Sequence, residues 1–384
     1  MRKPVYLDYQ ATTPLDPRVF EAMTPYYLEH FGNPHSTTHR YGWTAEAGVE
    51  KARRQIAELI GADAEEVYFT SGATESNNLA VKGVMQALGH VRPHMVTLVT
   101  EHKCLLESAR AVEQAGFNVT YVPVERSGLV SLDKLKAAIN EQTALVSVMA
   151  LNNEIGVIQP LADIAALARA KGALFHSDAA QALGKIPLDV KATGADLMSL
   201  SSHKIYGPKG IGALYKRADR RVAVTPQMSG GGQEKGLRAG TLAPALCVGF
   251  GAATGIASAE MAQEEGRLRT MMVRLKGRLH TSIPGLVING DENQRWAGNL
   301  NISFPGLDGD LLLANLRDLA ISSGAACASA VSGPSYVLQT LGVSDKMAKA
   351  SIRIGIGRFT TDEEIDFAAD TLIAVADKMG GIKP

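Results

Sequence analysis

The sequence predicts an α/β protein whose large domain is a mostly parallel, seven-stranded sheet flanked by helices, with a smaller α+β domain beside it. Three observations point there. Between Glu66 and Tyr215, seven short apolar runs alternate with amphipathic segments, which is the rhythm of successive strand–helix–strand units. The stretches between elements are short, as crossover loops are. After Thr241 the rhythm stops, and an Ala-rich stretch reaches to about Leu279 before a sparser set of patterns begins.

The predicted strands are Val67-Tyr68-Phe69, Met95 to Val99, Val119 to Val124, Ala144 to Ala150, Ala173 to Phe175, Leu197 to Leu200 and Ile211 to Leu214. The helices between them follow from period. Leu161, Ile164, Ala165, Leu167 and Ala168 repeat at helical spacing behind Pro160, which suits a helix start. The Ala-rich stretch reads as a connecting helix leaving the sheet, with one break expected near its glycines. Beyond it, Leu286 to Asn289, Leu300 to Phe304 and Ser351 to Ile356 are strand-like, and Leu311 to Leu319 and Ile365 to Met379 carry helical periods. There is no internal repeat, low-complexity linker or charge run, so the two lobes are expected to pack tightly.

Composition narrows the function. Lys plus Arg number 39 and Asp plus Glu 39, so no net charge advertises nucleic acid or an anionic membrane as a partner. Apolar residues make up 46% and charged residues 20%, enough for a large core and far from disorder. No basic leader precedes an apolar run, and no window approaches an uninterrupted membrane-spanning length. The expectation is a cytoplasmic, soluble protein. Its three cysteines, Cys104, Cys247 and Cys327, are too few and too scattered for a disulfide framework or a Cys-x-x-Cys metal site. Cys104 and Cys247 lie in helical apolar stretches and read as buried, whereas Ser, Gly and Ala surround Cys327, the composition of an exposed loop. The histidines show no HExxH spacing, and no metal is expected.

In parallel sheets ligands gather outside the carboxyl ends of the strands. The residues following each run are Thr70-Ser71-Gly72-Ala73-Thr74, Glu101-His102, Asn152-Asn153-Glu154, Ser177-Asp178 with Gln181, and Ser201-Ser202-His203-Lys204. Five polar clusters on one rim point to a cofactor, since buried polar groups need partners. Thr70 to Thr74 opens a helix, so free backbone N–H groups and hydroxyls would face an anion such as phosphate. An Asp, a His and a Lys at separate strand ends beside a phosphate cradle suit pyridoxal phosphate.

These residues also carry a family resemblance. Ser71-Gly-Ala-Thr-Glu-Ser-Asn-Asn78, Asn152-Asn-Glu-Ile-Gly156, His176-Ser-Asp-Ala-Ala-Gln181, Ser201-Ser-His-Lys-Ile-Tyr-Gly-Pro-Lys-Gly210, the glycine-rich run from Gly230 to Thr241 and Ser322-Ser-Gly-Ala-Ala-Cys327 together resemble the cysteine desulfurases of the NifS and IscS type. These belong to the class V aminotransferase group of fold-type I pyridoxal-phosphate enzymes. The resemblance implies Lys204 as the Schiff-base lysine, Asp178 as partner of the pyridinium nitrogen, Gln181 on the ring hydroxyl and His102 stacked on the ring. Asn152 would help to position cofactor and substrate. Ala73, Thr74, Ser201 and His203 match phosphate-binding positions, Thr241 one that reaches the phosphate of a neighbouring subunit, and Asn33 and Arg353 the holders of the substrate carboxylate. Cys327 matches the sulfur-accepting nucleophile, and since an unperturbed thiol is only a few per cent thiolate at neutral pH, a nearby base, His102 or the substrate itself, would help to ionise it. The sequence departs from the pattern at Ala325 and Ala328, where hydroxyl residues are usual, and at Gly355, where Ser is common.

The resemblance therefore implies residues 15–255 as the large cofactor-binding domain, and 1–14 with 256–384 as the small domain carrying the cysteine loop. The implied activity converts L-cysteine to L-alanine and passes the sulfur, as a persulfide on Cys327, to an acceptor or scaffold protein for iron–sulfur cluster assembly. A homodimer is expected, since the glycine-rich run Gly230 to Gly240 ends in Arg238 and Thr241, which suit a phosphate. A selenocysteine lyase or an aminotransferase would use the same scaffold, and a transaminase would need a keto-acid acceptor but not Cys327. A non-enzymatic docking scaffold would not need Lys204 and Asp178.

Overall fold

The computed structural model describes residues 3–323 and 333–380, so Ala325, Cys327 and Ala328 lie outside the described residues. The chain opens with a short strand, β1 (Val5–Tyr6), and two helices, α1 (Pro17–Leu28) and α2 (Arg40–Leu59). Asp16 starts α1 by accepting from the Arg18 N–H, with Pro17 preset for the first turn. Strand–helix units follow: β2 (Val67–Thr70) with α3 (Ala73–Leu88), β3 (His94–Leu98) with α4 (Lys103–Gln114), and β4 (Asn118–Val122) with α5 (Leu132–Ala138). Next come β5 (Thr143–Ser147) with α6 (Leu161–Ala170) and β6 (Leu174–Asp178) with the single turn α7 (Val190–Thr193). Strands β7 (Leu197–Ser201) and β8 (Gly212–Lys216) complete a seven-stranded sheet in the order β2-β8-β7-β6-β5-β3-β4.

Each predicted run contributes one strand. Their near-continuous apolar character is explained by cover on both faces. Met95, Leu145, Leu197 and Leu214 pack under α3 and α4, while their neighbours Val96, Val146, Met198 and Ala213 join the core on the opposite side. All pairings are parallel except those of β8, which runs antiparallel to both β2 and β7. The link from β7 to β8 is too short for a crossover helix, so the chain can only turn back on itself. Strand β5 lies beside β3 rather than β4. The loops after β3 and β5 therefore diverge and leave a crevice at the strand carboxyl ends.

The Ala-rich stretch forms one unbroken helix, α8 (Pro244–Ser282), and the break expected near its glycines is absent. Interior glycine costs a helix roughly 1 kcal/mol, but here it permits close approach. A Cβ on Gly251 would stand 2.5 Å from the Ala52 Cα of α2, and one on Gly249 would stand 2.5 Å from the Met23 sulfur of α1. By length and composition α8 could cross a membrane, yet Ala245, Cys247, Phe250, Ala253 and Ala257 are buried within the protein.

After α8 come β9 (Val287–Ile288), β10 (Asn299–Ser303), α9 (Gly309–Asn315), β11 (Leu319–Ala320), β12 (Ser322–Ser323), α10 (Tyr336–Thr340), α11 (Asp345–Lys349), β13 (Ser351–Gly355) and α12 (Asp362–Lys378). Among the described residues these strands form an antiparallel sheet, β12-β13-β10-β9, and a parallel pair of β1 with β11. The helical period expected to reach Leu319 ends with α9 at Asn315, because Leu319 is drawn into register with Val5. That pairing carries the N-terminal residues across to the second lobe, where Asp8 bridges Gly355.

Candidate active site

The crevice opens into a cavity of about 670 Å³, a size ordinary for a small-molecule or cofactor site. Of the predicted residues, Ala73, Thr74, His102, Asp178, Gln181, Ser201, His203 and Lys204 line it. They come from the ends of β2, β3, β6 and β7, four strands distant in sequence but adjacent or facing at one rim.

One end of the cavity is an anion cradle. Helix α3 begins there at Ala73, so its first N–H groups have no intrahelical acceptor and carry the positive end of the helix dipole. Gly72 precedes it with φ 149°, a conformation that favours glycine, and Gly212 of β8 packs so closely that a Cβ on it would stand 2.7 Å from the Gly72 Cα. Glu75 lies in the same first turn and accepts from the Ser71 N–H at 2.7 Å. An acid so near an anion site would repel the anion, but Arg238 clamps both its oxygens, at 2.7 and 3.2 Å. Burial pushes the Glu75 carboxyl up, and the Arg238 and Ser71 hydrogen bonds outweigh it, leaving the group below its ordinary range. Arg238, which in the sequence suits a phosphate, is thus engaged by Glu75.

Asp178 sits at the end of β6, buried, with its Oδ2 accepting from Asn77 Nδ2 at 2.7 Å and its Oδ1 from the Ala180 N–H at 3.0 Å. These bonds fix a carboxylate at the cavity floor. His102 caps α4, and its Nδ1 accepts from the Cys104 N–H at 3.2 Å. Burial holds its pKa below the ordinary value, the Lys204 and Lys103 charges adding to that and the Asp178 charge opposing it, so it is a neutral ring whose Nε2 carries the proton. His203, bonded to Thr12 through Nδ1, is driven down to about 4 by burial and by Lys204. The Lys204 amine ends at the N-terminal strap, donating to the Gln10 carbonyl at 2.6 Å and the Ala11 carbonyl at 2.7 Å.

Other predicted residues fall outside the cavity wall. Asn152 is buried with its side chain turned into its own loop: Oδ1 accepts from the Glu154 and Ile155 N–H groups, and Nδ2 donates to the Thr100 carbonyl. Its neighbour Asn153 lines the cavity instead, because the Asn152 side chain is spent on capping the turn that follows it, and a pair of asparagines does not reveal which faces inward. Arg353 is buried, donating to Asp8 Oδ1 at 2.7 Å and to the Asn153 carbonyl at 2.9 Å. Its Nε has no partner among the described residues. Asn33 is exposed and accepts from the His35 N–H. Thr241 is exposed as well.

Sequence reasoning missed two parts of the wall. Gln10, Ala11 and Thr12 enter it from the N-terminal strap. Cys104, expected to be an inert core residue, faces the cavity between Asn77 Nδ2 and His102 Nδ1, at 3.2 and 3.0 Å. Burial and the Asp178 charge push its thiol up to about 12, and burial first of all does the same for Cys247. Both stay protonated at neutral pH.

Comparison with known proteins agrees with this geometry. The "Aminotransferase class-V" family profile matches residues 5–367. The chain is 52% identical over 381 residues to "Cysteine desulfurase IscS" of Rickettsia felis, covering 99% of this chain and 93% of the relative. Identity to the protein of the same name from Rickettsia akari is 53% over the same length, with the same coverage. Among solved structures, a "NIFS-LIKE PROTEIN" superposes with a TM-score of 0.91 at 35% identity, covering 98% of this chain and 100% of that one.

Proposed function

Because this chain belongs to the class V aminotransferases, and among them to the cysteine desulfurases, we propose that its cavity holds pyridoxal phosphate and takes the sulfur of L-cysteine onto Cys327, leaving L-alanine. The observation that carries the site assignment is the convergence of the Lys204 amine, the Asp178 carboxylate and the α3 N-terminus on one cavity. Buried polar atoms without a partner among the described residues, Asn77 Oδ1 and Ser202 Oγ, lie on residues touching Asp178 or preceding His203, as expected of a site shaped around a polar group.

In this reading the N–H groups of Ala73 and Thr74, with Ser201 and His203, hold the phosphate. Asp178 would face the pyridine nitrogen, His102 would cover the ring, and Lys204 would hold the cofactor covalently through its amine. When bound, the cofactor supplies an electron sink for the bond broken at the substrate α-carbon. The Lys204 amine would take the substrate α-proton and return a proton later. The Cys327 thiolate attacks the substrate sulfur, the carbon–sulfur bond breaks, and the sulfur remains as a persulfide. His102 is neutral but its Nδ1 is engaged by the Cys104 N–H, so the substrate itself, rather than His102, is the better acceptor for the thiol proton. To admit the substrate carboxylate, the Arg353 guanidinium shares or leaves Asp8. The persulfide then passes to an acceptor or scaffold protein for iron–sulfur assembly, in the cytoplasm. The cofactor-binding domain spans 15–255, with 1–14 and 256–384 as the small domain.

The test is incubation of the cofactor-loaded protein with sulfur-labelled L-cysteine. Alanine and protein-bound label should appear in equal amounts. Cysteine consumed only when a keto acid is added, with no alanine formed from it and no label on the protein, or turnover of selenocysteine alone, would replace the reading with a transaminase or a selenocysteine lyase.

The working unit is proposed to be a homodimer. Phe20, Tyr27, Leu28, Phe31, Tyr41 and Trp43 are large apolar side chains left exposed between residues 20 and 43, more than a lone chain leaves in one segment without reason. Thr241 is exposed beside the glycine-rich segment, where it could reach a second chain's phosphate. Lys204→Ala and Thr241→Val chains, refolded together at limiting cofactor, should regain wild-type cofactor affinity at one site per mixed dimer. Activity equal to the sum of the separate variants would place Thr241 within its own site.

A further inference from the structure

Lys185 is buried on the far side of Gln181 from the cavity and takes no part in the mechanism above. Its Nζ donates to Gln181 Oε1 at 2.8 Å and lies 4.7 Å from the centre of the Trp296 ring. Both Lys185 and Trp296 are under a tenth exposed. At the other end of the same amide, Gln181 Nε2 donates to the Gln10 carbonyl at 2.7 Å. A backbone carbonyl can only accept, so the NH2 group must face Gln10 and the amide oxygen must face Lys185. An amide NH2 carries two hydrogens, and only one is used on Gln10. The other is left for the cavity, which Gln181 lines.

We propose that Lys185 is a positioning residue for this reaction: by holding the oxygen of the Gln181 amide, it keeps the NH2 edge turned toward the ring oxygen of bound pyridoxal phosphate. The inference rests on the proposed cofactor and on Gln181 contacting its ring oxygen. Without Lys185 the Gln181 oxygen would be a buried acceptor with no donor, and rotation of the amide would set a carbonyl against the anionic ring oxygen. Trp296 completes the device: its ring face favours the charged amine at the position from which Lys185 reaches Gln181, and although burial lowers the Lys185 pKa to about 7, the neutral amine also donates to the amide oxygen. The other titratable groups facing Lys185 are Lys204 and His203 from the turn after β7, Glu264 from α8 and Arg353 from β13.

The experiment titrates the visible absorption of the cofactor-loaded protein against pH, with no substrate present. A donor to the ring oxygen favours the deprotonated chromophore, so its loss raises the midpoint. Lys185→Met, which keeps the length and shape of the side chain, should raise the midpoint by about one pH unit, a tenfold change in the proton equilibrium. Lys185→Arg, which keeps a donor, should stay near the wild-type midpoint. In a Gln181→Leu background, Lys185→Met should add no shift, because its effect runs through that amide. An unmoved midpoint in Lys185→Met, or the same shift with and without Gln181, overturns the proposal while leaving the cofactor site intact. A wild-type protein that takes up pyridoxal phosphate without a visible band would overturn both the proposed function and this inference.

Discussion

Lys204→Ala is expected to abolish the visible absorption of bound cofactor and to lower cysteine turnover by at least about 10³-fold, since one side chain supplies both the covalent anchor and the proton carrier. Its surroundings hold it in place. The amine donates to two carbonyls of the N-terminal strap, which orient it at the cavity wall. Lys204→Arg provides the control. The guanidinium retains the charge and the donors for Gln10 and Ala11, but it stays protonated and cannot act as nucleophile or base. Spectra with added pyridoxal phosphate, read beside alanine release, check both variants. Alanine production at the wild-type rate in Lys204→Ala would remove the cofactor assignment.

Cys327→Ser is expected to end sulfur transfer while leaving cofactor binding unchanged. The hydroxyl that replaces the thiol has a far higher pKa and is a poor nucleophile toward sulfur. The argument for Cys327 gains from the other two cysteines. Cys104 faces the cavity, but burial and Asp178 hold it protonated, and Cys247 is sealed inside α8. An ordinary thiol, with a pKa of about 8.5, is already a few per cent thiolate at neutral pH. Labelled sulfur should therefore appear on the wild type and on Cys247→Ala, but not on Cys327→Ser. Undiminished label on Cys327→Ser would move the acceptor to Cys104 and require the Asp178 field to be relieved when substrate binds.

Much of the site was legible because strand ends are local features. An apolar run followed by polar residues marks a carboxyl rim, and a Ser-Gly turn opening a helix marks an anion cradle. That logic found Thr74, His102, Asp178, Gln181, Ser201, His203 and Lys204, all of which line one cavity. It could not choose between Asn152 and Asn153, since loop geometry decides which side chain turns inward. It placed Arg238 on a phosphate because it could not see Glu75, 163 residues away in the chain, waiting in the first turn of α3. The glycines of α8 misled it for a related reason. Glycine weakens a helix in isolation, and only the approach of α1 and α2 turns it into a packing device.

The residue order alone was enough for the α/β class, the strand runs and the chemical identity of the rim, because periodicity and turn composition act over a few residues. The tertiary structure decided which charges meet. Arg353 pairs with Asp8 across 345 residues, and Gln181 bonds Gln10 across 171. Such partnerships depend on where the N-terminal strap crosses to the second lobe, a position set by the pairing of β1 with β11. No local pattern encodes that distance. Lys185 shows the same limit: its sequence neighbours mark an ordinary turn, and its role toward Gln181 emerges only when the second lobe brings Trp296 against it.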